Sequence, residues 1–225
     1  MAYSESGSYS SCGAVVGRHT VSRAATLALD APIMSQDLLR SLGSENARVK
    51  EIVLEFKSKD QGRTSEGTQG TYNSSSWLEI SIMQPMDPSA SELQYSDDLK
   101  EAMPDSGAFH GFLQGRQWML VERPDEVEHS LQGPEDKRAW FLQANLVATP
   151  TYRPIKIVLS THEGREEGND GTGSGEGFLE NLKERDRVFV WAREKVCWIY
   201  QHTDLQIILT IPSAPDGRAM CGISR

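Results

Sequence analysis

Two carboxylates and a scatter of aromatic and polar side chains are the residues whose types and spacing could do chemistry. Glu55 and Glu79 each sit in a segment with apolar residues at every second position, Val49 to Lys57 and Ser76 to Met83. If those segments pair, the two carboxylates face each other across a sheet and can serve as acid and base, provided burial raises one pKa. Without that burial they are simply wet side chains on outward faces. Asp60, Gln61 and Tyr72 fall in the polar stretch that joins the two segments, where a loop on a rigid scaffold usually carries a binding site. Near the other end, Trp191, Arg193, Trp198 and His202 offer rings that stack on a sugar or flat metabolite and a guanidinium fork that grips a carboxylate or phosphate.

Each candidate has a plainer role beside it. Asp60 before Gln61 and Gly62 can close its own turn. Trp77, Trp140, Trp191 and Trp198 can be core, and Arg193 can form an ion pair with one of the many acids. His110, His129, His162 and His202 are scattered without metal-ligand spacing. The glycine-rich run 162–177 lacks the Lys and Ser or Thr that close a phosphate loop before a helix. Asn169, Asp170 and Glu176 alternate as oxygen donors for calcium but do not complete a calcium loop. No metal and no cofactor is expected.

Composition narrows the class. The formal net charge of -9 argues against a protein that coats nucleic-acid phosphates, although a narrow basic pocket stays compatible with it. Cys12, Cys197 and Cys221 lie far apart with no CxxC spacing, which indicates neither a zinc site nor a disulfide framework and suggests a reducing compartment. No apolar run is long enough for a membrane span, and the first residues lack the order of a secretory signal. The expectation is a cytoplasmic protein with no membrane partner.

The elements that would position these residues are mostly strands. Along the chain, 1–13 reads as a disordered tail, 14–212 as a single domain with a mobile loop at 162–177, and 213–225 as a second tail. Val15 to Leu29 could give one strand, and Ser35 to Gly43 has the capping Ser and terminal Gly of a short helix. Another helical turn fits around Ser96 to Ala102. Gly111 to Val121 reads as a possible strand. Trp140 to Ala148 and Tyr152 to Ser160 resemble a hairpin split by Pro150. Asp186 to Arg193 alternates, placing Val188, Val190 and Ala192 on one face and Arg187, Phe189, Trp191 and Arg193 on the other; Leu205 to Ile211 follows as a further strand. The fold class expected is all-β, an antiparallel β-sandwich with one or two short helices.

Three blocks carry a resemblance. Ser58 to Gly62 with Gly70-Thr71-Tyr72 and Ser76 to Glu79, then Trp140 to Ala148, then Phe178-Leu179 with Asp186 to Arg193 and Trp198, resemble a group of largely uncharacterised fungal proteins. That group has an Asp-Gln-Gly-Trp loop, a Trp-x-Leu-Gln-x-Asn strand, and Gly-Asp-Arg followed by a Trp-Ala-Arg strand. The layout is more distantly similar to galactose-binding-like jelly rolls, including sugar-binding modules of some F-box proteins. This chain departs at Arg63, where the group has Trp, and at Arg185, where it has Gly.

The resemblance implies a fold more than an activity. The function expected is a noncatalytic binding module for a glycan, a peptide or a partner protein, using Asp60, Gln61, Tyr72, Trp191, Arg193, Trp198 and His202. The alternative is a small-molecule cyclase or isomerase of a fungal secondary-metabolite pathway, with Glu55 and Glu79 in an apolar cavity of the same scaffold.

Overall fold

The computed structural model describes residues 6–17, 24–32, 49, 51–58, 67–87, 89–90, 106–127, 129–132, 137–148, 151–161, 169–194 and 199–210. These residues form mostly strands in antiparallel sheets, with one helix and isolated 3-10 turns. The strands are β1 (Ser6–Gly17), β2 (Ala24–Pro32), β3 (Glu51–Ser58), β4 (Ser76–Pro85), β5 (Trp118–Leu120), β6 (Trp140–Ala144), β7 (Arg153–Ser160), β8 (Arg187–Glu194) and β9 (Ile199–Thr210). The helix, α1, spans Ser106–Gln114. One sheet has the order β1-β9-β3-β7; the other runs β2-β8-β4-β5, with β6 also paired to β4.

Alternation explains the inner faces. Leu78, Ile80 and Ile82 of β4 and Val188 and Val190 of β8 share a buried cluster with Ile52 and Leu54 of β3 and Ile157 and Leu159 of β7. Both sheets therefore contribute to one apolar interior, in which each fully buried Leu or Ile is worth about 1.5–3 kcal/mol. On β3 the opposite face stays partly wet, and Glu55 is exposed. Pro154 sits on β7, an edge strand, where a residue without an N–H leaves no central ladder broken.

In the second sheet, β4 from Ser76 to Met83 and the described side chains of β8 from Val188 onward are buried on both faces. Behind it, Met83, Phe189 and Trp191 pack under Phe109 and Leu113 of α1 and under Trp118. The Phe109 ring meets Trp191 edge-on at 5.2 Å and Phe189 at 5.3 Å. A smaller cluster joins Trp77, Phe141 and Ala144, with Tyr72 and Leu131 against it. A strand covered on both faces carries side chains of every kind inside, which is why β4 is buried at each position from Ser76 to Met83.

Several sequence expectations change here. The segments around Glu55 and Glu79 do not pair: β3 joins β7 and β9, while β4 joins β8, β5 and β6. The expected hairpin at Pro150 is absent for the same reason, since β6 pairs with β4 and β7 with β3. Gly111 to Val121 holds the end of α1 and the short β5 rather than one strand. Ser6–Gly17, read mainly as tail, runs as β1 along β9, and Val15 to Leu29 divides between β1 and β2. The helices expected at 35–43 and 96–102, and the whole tail at 213–225, lie outside the described residues.

Part of the glycine-rich run is also anchored. Asn169 Oδ1 accepts from Gly171 N–H and from Gln143 Nε2, each at 2.9 Å, and Thr172 Oγ1 donates to Gln143 Oε1 at 2.8 Å. The backbone follows β6, with Ala144 N–H on the Gly171 carbonyl and Gly173 N–H on the Leu142 carbonyl. Glycine is required for that approach: a Cβ on Gly173 would fall on the Phe141 carbonyl, and one on Gly171 on the Tyr72 ring. Among the described residues, no helix is long and apolar enough to cross a membrane.

Candidate functional site

The alternation of β4 and β8 brings Glu79, Trp191 and Arg193 to one face, behind the second sheet. Glu79 Oε2 accepts from Arg193 Nε at 2.6 Å, while Oε1 accepts from Trp77 Nε1 at 2.8 Å and Gln132 Nε2 at 3.0 Å. Gln132 Nε2 also reaches the Ala139 carbonyl. Trp191 Nε1 donates to Ser81 Oγ at 2.9 Å, and Ser81 Oγ donates to the Arg138 carbonyl at 2.7 Å. Glu79, Ser81 and Trp191 are 0 % exposed and Arg193 is 2 % exposed.

Burying a carboxylate is costly unless its lone pairs are occupied by donors, and here both oxygens are. Trp191 of this group packs against Phe109 of α1, and Gln132 reaches Glu79 from the turn at 129–132. Trp191 and Arg193, read from the sequence as a recognition face, are thus internal, and Glu79 is not a wet outward carboxylate. Glu55 and Glu79 do not form an acid and base pair, because they belong to different sheets.

The rest of the expected site divides three ways. Asp60, Gln61 and Trp198 lie outside the described residues. His202 lies on β9 across from Ala14, with its side chain outside what the structure describes. Tyr72 is, among the described residues of the expected site, the one that borders a cleft: with Asn145, Arg153, Ile155, Lys156 and Asn169 it lines a recess of about 210 Å³.

Four pieces of chain build this cleft, Asn169 of the anchored loop among them. The turn before β4 brings Tyr72, held by the ladder bonds of Gly70 N–H to the Val147 carbonyl and Val147 N–H to the Thr71 carbonyl. The end of β6 continues into Asn145, whose Nδ2 donates to Ser76 Oγ at 2.9 Å. The start of β7 supplies Arg153 and Lys156, both exposed. Tyr72 lies against the backbone of Gly171, so its ring direction is fixed by the anchored loop.

Arg153 and Lys156 were not singled out from sequence, Asn145 entered only as part of the Trp140 to Ala148 block, and Asn169 only as an incomplete set of calcium donors. The available signal was two cations three residues apart on a Pro-bearing strand of an acidic chain. Nothing local linked them to Tyr72, which is more than eighty positions away in the chain.

The other ionisable groups serve the frame. Asp186, 1 % exposed, opens β8 and accepts at Oδ2 from Lys183 N–H at 2.7 Å and Gln84 Nε2 at 2.8 Å; Oδ1 has no hydrogen-bond partner. Burial pushes its pKa up to about 7, against the opposing pull of those two donors. Burial, and then Arg138, hold His110 below its ordinary value, and its Nδ1 accepts from Leu120 N–H. His129 stacks on Phe141 at 3.7 Å. Among the described residues, no three of His, Cys, Asp or Glu are grouped to hold a metal ion.

Comparison of the chain with protein-family models, curated proteins and solved structures finds no match.

Proposed function

We propose that the chain is a noncatalytic binding module on a β-sandwich of jelly-roll type, recognising a glycan, a peptide or a partner protein in a cytoplasmic setting. The observation that carries this reading is the Tyr72 cleft, an open recess with an aromatic wall and polar side chains from three segments. The apolar cluster drawn from both sheets supports the sandwich. The resemblance to the fungal group has one support in backbone geometry. Arg185 holds a φ of 68°, the left-handed region that favours glycine, at the position where that group carries Gly.

The cyclase or isomerase reading has less behind it. Small-molecule sites are typically roughly 300–1,000 Å³ and mostly apolar. The Tyr72 cleft is smaller, at about 210 Å³, and includes Arg153, Lys156 and two Asn in its lining. Glu79 has its oxygens occupied by Trp77, Gln132 and Arg193.

A combined glycan and peptide array tests the module. Wild-type protein is expected to retain ligands that Tyr72→Ala, with an unchanged unfolding midpoint, does not retain. Equal retention by folded Tyr72→Ala contradicts the reading.

A further inference from the structure

The hydrogen-bonding groups around the cleft are unequal in kind. Arg153 brings five N–H donors and Lys156 three, and neither side chain can accept. Asn169 Oδ1 already accepts from Gly171 N–H and Gln143 Nε2, which leaves Nδ2, a donor, as that side chain's remaining capacity. The Tyr72 hydroxyl can donate or accept a hydrogen bond. Among the described residues lining the cleft none is Asp or Glu, although the chain as a whole carries a net charge of -9. Glu55 lies across the ladder from Lys156 and Asp170 follows Asn169, yet neither lines the recess.

A donor-rich recess selects for acceptors, and Arg153 and Lys156 in its lining repel a cation even though the chain's net charge of -9 attracts cations to the surface as a whole. Phosphate sites are usually cradled by backbone N–H groups at a helix N-terminus or a glycine nest. This one is lined by side chains and by Pro154, which has no N–H. The planar fork of Arg instead matches the two oxygens of a carboxylate.

We infer that the Tyr72 cleft binds the carboxylate of a small ligand, with Arg153 as its paired donor, Lys156 and Asn169 Nδ2 as supporting donors, and the Tyr72 ring against the ligand body. This rests on the cleft being the binding site. A sugar acid and the C-terminus of a peptide both present that group.

Calorimetric titration with two matched pairs separates these sources: galacturonate against galactose, and N-acetyl-alanyl-alanine against its amide. The acid of one pair is expected to bind at least about tenfold tighter than its neutral partner, a gain typical of a charge-assisted pair. Arg153→Gln removes most of that gain, and Arg116→Gln, whose guanidinium stacks on Phe112 away from the cleft, leaves it intact. Equal binding of acid and neutral forms, a preference that survives Arg153→Gln, or stronger competition from inorganic phosphate than from either acid overturns the inference. Any of these leaves the binding module standing if Tyr72→Ala still loses array ligands. Should Tyr72→Ala also retain every array ligand, both fall.

Discussion

Arg193 on β8 reaches Glu79 on β4 diagonally, since the residue directly across from Glu79 is Trp191 and the one across from Arg193 is Trp77. The pair therefore ties together the four side chains that line the middle of the covered face. Removing Arg193 takes the 2.6 Å partner from a fully buried carboxylate, and removing Glu79 takes that partner from a guanidinium only 2 % exposed, with a cost of about 3–5 kcal/mol. Glu79→Ala and Arg193→Met are each expected to destabilise by that amount in urea unfolding. The double variant Glu79→Met/Arg193→Met should lose clearly less than the sum, because the two bonded ions are removed together. Its residual deficit includes Trp77 Nε1, which loses the Glu79 acceptor, and Gln132 Nε2, which keeps only the Ala139 carbonyl. Additive losses contradict the coupling.

Trp191 is expected to behave as a core residue. Trp191→Phe keeps most of the ring contacts and removes the donor to Ser81 Oγ, whose own proton still goes to the Arg138 carbonyl. The expected loss is about 1 kcal/mol for one hydrogen bond. Trp191→Ala opens a cavity and should cost about 3–5 kcal/mol. Ligand titration of folded Trp191→Phe should match wild type, and a selective loss of binding would move Trp191 to the site.

The strands were legible and their partners were not. Period-two alternation in Leu78, Ile80 and Ile82 or in Val188 and Val190 fixes which side chains share a face, but any other alternating strand satisfies it equally. Glu55 and Glu79 accordingly looked alike, although one is exposed and the other is inside, neutralised by an arginine 114 positions away. The same distance problem hid the cleft, which needs β7, the turn at Tyr72 and Asn169 together. Helix α1 was obscured by Gly111, which weakens helical preference, and by the apolar run Trp118 to Val121 that follows it.

Asp186 predicts a pH effect whose sign follows from burial. Its pKa is raised from 3.8 to about 7 in the folded protein, so the native state holds a proton that the unfolded chain releases at lower pH. Its contribution to stability is complete below about pH 4 and is lost as pH rises through about 7. The stability difference between wild type and Asp186→Asn should shift by a few kcal/mol in favour of the variant from pH 4 to pH 8. Urea midpoints across that range check it, and a constant difference contradicts it.

Gly171→Ala tests how the anchored loop sets the cleft. The new methyl falls on the Tyr72 ring and Gln143 Nε2, so the ring must turn away. The expected result is a protein that still folds, with slightly reduced stability, and has lost the array ligands that depend on Tyr72. Unchanged retention would show that the ring position is immaterial to binding.

The most direct measurement is a backbone amide NMR titration with the acid that calorimetry identifies. Ligand-dependent shifts are expected at Tyr72, Asn145, Leu146, Ile155, Lys156 and Asn169, with β8 from Phe189 to Arg193 unmoved. Shifts centred on Trp191 and Arg193, with those cleft amides unmoved, would contradict the assignment of the binding site.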